Sequence, residues 1–193
     1  MGRYMDKERA RVCVKSKGDG PLTRLVSVIG TRNSGTLPMV GLLERVRTNA
    51  SGSGVEVQLV DASKVYGPEH LEVAAEMAAR AFRTGANAAD TILVEFVRFA
   101  SGRRQISDAL GILGISGRTE RIAVCLFGPI DGQVPDTQGV LKGTGLVKDD
   151  TVWGSKEELA RAFGLGEKAL ATRNHDGWCD LVLERIAFVG LGK

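Results

Sequence analysis

The segment Ala100-Ser101-Gly102-Arg103-Arg104-Gln105-Ile106-Ser107 sets two adjacent arginines just ahead of a short helical pattern. Backbone N–H groups at a helix start have no partner inside the helix. With guanidinium groups beside them they attract phosphate by side-chain charge and by the positive helix terminus together. The chemistry this implies is binding, not catalysis. From Arg98 to Arg121 the chain carries Arg98, Arg103, Arg104, Arg118 and Arg121 against only Asp108 and Glu120. A solvated basic face is the plain alternative. Against it stand Gln105, with donor and acceptor groups on one amide, and Ile106, an apolar surface beside the cations. Single-stranded RNA needs that mixture: cations for phosphates, amide edges for bases, a platform for stacking.

Other constellations carry less. Gly30-Thr31-Arg32-Asn33-Ser34-Gly35-Thr36 has the glycine spacing of a phosphate-binding loop, but Thr36-Leu37 stands where lysine and a hydroxyl residue are needed. His70 and His175 lack the further ligands of a zinc site, and His175-Asp176 with Cys179 fits no metal spacing. No serine sits between glycines in a nucleophile elbow. No catalytic residue, metal or cofactor is therefore assigned. Cys13, Cys125 and Cys179 are scattered and odd in number, which favours a reducing cytosol, and Cys125 reads as a small core residue. Met1 to Lys17 is charged and unlike a secretory signal, and the longest apolar runs are too short for a bilayer. The net charge of +3 permits a nucleic-acid partner without arguing for one, so local clustering decides.

The elements that must position these residues alternate between strand and helix patterns. Arg11 to Lys15 reads as an edge strand, Leu22 to Ile29 as a strand, and Leu37 to Arg47 as a helix. Val55 to Val60 alternates like a half-buried strand, with Val55, Val57 and Leu59 on one face. A helix opens at Pro68 and stops at Gly85, with Leu71, Ala74, Ala75, Ala78, Ala81 and Phe82 along one stripe. Thr91 to Phe99, apolar on both faces except Glu95 and Arg98, reads as a central strand. A helix follows through Leu113 and stops at Gly114, then a buried strand, Arg121 to Phe127. Gly128 to Val152 is Gly-, Asp- and Pro-rich and reads as a long surface excursion. Ser155 and Glu158 form a capping box for a helix that Gly164 ends, and Leu181 to Val189 reads as a last strand. The 193 residues thus predict a single α/β domain, a mixed β-sheet flanked by helices.

At the same residues the chain resembles a known family: the tRNA-recruiting small subunit of the KEOPS complex, the PRPK-binding protein (TPRKB) family. Glu69-His70-Leu71 with Ala74, Ala78, Arg80, Ala81 and Phe82 carries the resemblance, and Asn87 and Glu95 to Phe99 continue it. The run from Ala100 to Ile106 is its most specific part. Gly114, Arg121 to Val124 and the tail Leu181 to Ala187 add to it. Residues 66–127 match best and residues 155–189 loosely. The first sixty residues match only in general character.

The resemblance implies a non-catalytic cytoplasmic subunit. It would bind the single-stranded CCA end of tRNA and a kinase-like ATPase subunit. Through the latter it would serve the catalytic subunit that installs threonylcarbamoyladenosine on tRNA. Arg103 and Arg104 would then neutralise phosphates, Gln105 and Ile106 would meet the terminal nucleotides, and His70 would stack or donate. Two other readings remain at this point. One is a small enzyme or sensor binding a phosphorylated metabolite at the arginine loop. The other is a scaffold whose arginines pair with an acidic protein partner.

Overall fold

The computed structural model describes residues 23–35, 38–51, 54–129, 136–166 and 175–190. The expected edge strand at Arg11 to Lys15 lies outside them. In chain order the elements are β1 (Thr23–Asn33), α1 (Leu42–Ala50), β2 (Glu56–Asp61), a 3-10 turn (Ala62–Lys64), α2 (Pro68–Thr84), α3 (Ile92–Ala100), α4 (Ile106–Leu113), β3 (Arg121–Pro129), α5 (Thr137–Leu141), β4 (Leu146–Lys148), α6 (Lys156–Phe163) and α7 (His175–Val189). The four strands form one sheet in the order β2-β3-β1-β4. Each of its described pairings is antiparallel, so the α/β class holds but the sheet is not mixed.

Both faces of the sheet are covered, which is why β3 is apolar at nearly every position. Ile122, Val124 and Leu126 of β3 pack with Leu42, Val46 and Ala50 of α1 and with Val140 and Leu146. Ala123, Cys125 and Phe127 point the other way, into the core built by α2, α3, α6 and α7. There the Phe96 and Phe127 rings meet edge to face at 5.0 Å. Burying a Phe or Leu side chain of this kind stabilises a fold by roughly 1.5–3 kcal/mol each. The alanine stripe of α2 is buried as its spacing predicts, and small side chains let α2 lie close against α3. Gly85 ends α2 in the left-handed region at φ +67°, a conformation that costs glycine nothing.

Two predicted strands are helices. Thr91 caps α3 by accepting the Val94 N–H, and Ile92 through Ala100 wind into a helix buried on nearly all sides. A helix with no wet face loses the polar stripe that marks amphipathic helices, so periodicity alone does not separate it from a buried strand. Glu95 and Arg98 hold the answer. Spaced i,i+3, they share a helix face and pair, whereas in a strand they would point to opposite faces. In α7, Trp178, Cys179, Val182, Ile186 and Val189 are buried, the three- and four-residue spacing of a helix stripe. The predicted surface excursion at 128–152 also needs correction. It contains α5 and β4, and β4 pairs with Thr31 to Asn33 along the edge of β1. Val140, Leu146 and Val152 of this stretch are core residues.

Candidate nucleic-acid interface

The corner between α3 and α4 is built by a helix stop and a helix start placed back to back. At the end of α3 the Arg103 N–H reaches the Arg98 carbonyl at 3.3 Å, and the Gly102 N–H reaches Phe99 at 2.9 Å. This is a Schellman termination with Gly102 in the left-handed position, φ +66°. Ser101 tightens it: its hydroxyl donates to the Arg98 carbonyl at 2.9 Å and accepts the Arg103 N–H at 3.2 Å. A Cβ at Gly102 would stand 3.3 Å from the Phe163 ring, so glycine also lets α6 close against the corner. Gln105 then turns the chain into α4 with an extended backbone. Its side chain makes no capping bond, and the residue is exposed.

Beneath the corner lies His70, fully enclosed. Its Nε2 is 2.8 Å from the Ala100 carbonyl, an acceptor, so Nε2 carries the proton. Nδ1 accepts the Tyr66 N–H at 3.4 Å. Tyr66 stacks on the imidazole at 5.1 Å and Phe163 tilts against it at 5.6 Å. Burial pulls the His70 pKa down to about 4, opposed by the Ala100 hydrogen bond. A neutral imidazole with both nitrogens engaged and no exposed surface does not meet a nucleotide. The expectation that His70 stacks on or donates to RNA is therefore replaced: it fastens Ala100, the residue from which the arginine loop departs.

The five arginines of the segment separate into distinct roles. Arg98 is buried and grips Glu95 through two bonds of 2.5 and 3.1 Å, with the Phe99 ring 5.1 Å beneath its guanidinium. Glu95 also accepts the N–H groups of Ala88 and Ala89, so this pair ties down the α2–α3 loop. Arg121 pairs with Glu158 and donates to the Trp153 carbonyl. Burial alone would raise the Glu158 carboxyl, but the Ser155 N–H and Arg121 outweigh it and hold it below its ordinary range. Arg103 is half-buried and its Nη2 donates to the Ala162 carbonyl at 2.9 Å. That carbonyl belongs to the last turn of α6, where no intrahelical partner exists. Arg104 and Arg118 are exposed. Neither has an ion-pair partner among the described residues.

The corner thus offers Arg104 and Gln105 to solvent, with Arg103 and Ile106 half-exposed beside them. Sequence reasoning missed what supports it. The Glu95–Arg98 spacing was a readable signal for helix pairing. The approach of Ala162 and Phe163 from α6 left none, because it joins segments about sixty residues apart. The phosphate-loop candidate falls away. Gly30 to Asn33 continue β1, and a Cβ at Gly30 would lie 2.7 Å from the Asp149 carbonyl, so this is packed strand and no phosphate loop. No group of three metal-ligating side chains occurs among the described residues. Cys125 is buried in the core, and burial pushes its thiol upward. Among the described residues no helix is long and apolar enough to cross a membrane.

A search of the curated proteins finds no match. Residues 41–190 match the family model described as kinase binding protein CGI-121, a span that runs from the start of α1 to the end of α7 and includes the whole corner. The chain therefore belongs to the CGI-121 family of kinase-binding proteins.

Proposed function

We propose that this protein is a non-catalytic subunit of a KEOPS-type assembly. It binds the single-stranded CCA end of tRNA at the α3–α4 corner and a kinase-like ATPase subunit elsewhere on its surface. In this way it supports threonylcarbamoyladenosine modification of tRNA without an active site of its own. The family match over residues 41–190 supports the kinase partner. The observation that carries the RNA reading is the state of Arg104 and Gln105: exposed and held on a backbone fixed from below by His70 and from the side by Phe163. A pre-shaped cationic corner binds a flexible strand with less ordering cost than a mobile loop would. Arg104 supplies charge to a phosphate, Gln105 an amide to a base edge, and Ile106 an apolar contact.

The test is binding of full-length tRNA against the same tRNA without its CCA tail. The tail-less RNA is expected to bind far more weakly. Arg104→Glu is expected to lower affinity by at least about tenfold, as loss of a charge-assisted contact does, with unchanged melting temperature. Equal affinity for both RNAs overturns the reading. A melting temperature raised by a nucleotide or sugar phosphate, with no response to tRNA, would select the metabolite-binding alternative instead.

A further inference from the structure

The Gly102 surface has a second wall besides Phe163. A Cβ at Gly102 would lie 3.5 Å from Cβ of Arg185, so the stem of an α7 arginine leaves its helix directly beside the arginine loop. Arg185 borders the buried stripe of α7 (Val182, Ile186, Val189) and is itself exposed. It makes no ion pair among the described residues. Its neighbour Glu184 is adjacent in sequence, and adjacent helix residues do not face each other. An exposed arginine of α7 thus starts beside Gly102, the residue that Arg103 and Arg104 directly follow in the chain.

We propose that Arg185 is a third cation of the same RNA-binding corner, contacting a phosphodiester of the single strand from the α7 side. This rests on the tRNA reading above and extends it. The site is then composite. Arg103 and Arg104 come from the α3–α4 corner and Arg185 from the last described helix, brought together by the missing side chain of Gly102. A strand running across Gly102 would pass between the two sources of charge.

The experiment is fluorescence-anisotropy titration of labelled full-length tRNA with the whole chain across a salt series. It compares wild type, Arg185→Gln, Arg185→Lys and Arg104→Glu, with Arg47→Gln on the opposite face of the sheet as control. Arg185→Gln is expected to weaken binding about tenfold and to lower the salt slope by about 0.7, one single-strand phosphate. Arg185→Lys, which keeps the charge, is expected to stay near wild type, and Arg47→Gln to be unchanged. If Arg104→Glu weakens binding while Arg185→Gln changes neither affinity nor slope, this inference fails and the tRNA reading stands. If Arg185→Lys binds as poorly as Arg185→Gln, the side chain acts by packing on Gly102 and the inference also fails. If tail-less tRNA and Arg104→Glu both match wild type, the tRNA reading itself fails, and this proposal with it.

Discussion

Arg98 and Arg104 flank the same helix end, yet their surroundings are opposite. Arg98 is enclosed, clamped on Glu95 and laid over Phe99, and its charge is neutralised inside the fold. Arg104 stands exposed beyond Gly102 with no internal acid among the described residues. The two regions do different work with one residue type. The Glu95–Arg98 region holds the α2–α3 loop by joining a carboxylate, a guanidinium and two backbone N–H groups. The corner keeps its cation outside and fixes only the backbone beneath it, through His70 and the Schellman bonds. The positive charge summed along a segment is therefore not the charge offered to a ligand. Arg98 and Arg121 drop out of that sum because each has an internal acid within bonding distance.

The sharpest way to break this contrast is to remove one half of the buried pair. Glu95→Ala leaves Arg98 uncompensated and two N–H groups without their acceptor, which is expected to cost about 3–5 kcal/mol in denaturant unfolding. Arg104→Ala should move the same midpoint by less than about 0.5 kcal/mol. Comparable losses from the two would erase the distinction.

A slightly smaller effect concerns acid. The folded chain holds His70 neutral down to about pH 4, while the unfolded chain takes up the proton near 6.5. Between these values the unfolded state binds more protons. Stability is therefore complete above pH 6.5 and declines as the pH falls toward 4, by up to about 3 kcal/mol. His70→Gln, which keeps an N–H donor for Ala100 but cannot titrate, should flatten that decline in thermal melts across the range. An unchanged pH profile would place the acid sensitivity elsewhere.

The smallest expected effect separates the neighbouring arginines. Arg103→Ala removes the bond to Ala162 at the end of α6 and is expected to lower stability by about 1 kcal/mol as well as weaken RNA binding. Arg104→Ala is expected to weaken binding alone. Equal melting temperatures for the two variants would mean that the Ala162 contact contributes nothing.

Much of this architecture was legible in local sequence. Pro68 and Gly85 bound α2, Ser155 and Glu158 open α6, and the alternation in Val55 to Val60 places β2, because each of these signals is complete within a few residues. Where local signals were overridden, burial was the cause. With apolar neighbours on every side, α3 shows no polar face, and a run of Ile, Leu, Val and Phe reads as strand until Glu95 and Arg98 are seen to need the same face. The residues of 128–152 looked like loop because Gly and Asp dominate, but Val140, Leu146 and Val152 find the core and draw β4 onto β1.

The sequence by itself determined that Arg103, Arg104 and Gln105 would stand together at a helix start, since their order and the helical pattern after them are local. It determined too that glycine would precede them. Only the tertiary structure decided that His70 lies under this corner instead of on it, that Arg103 is half engaged on α6, and that Arg185 arrives beside Gly102. Exposure and partnership are properties of what packs against a residue, and here the packing comes from helices that the chain reaches only many residues before or after.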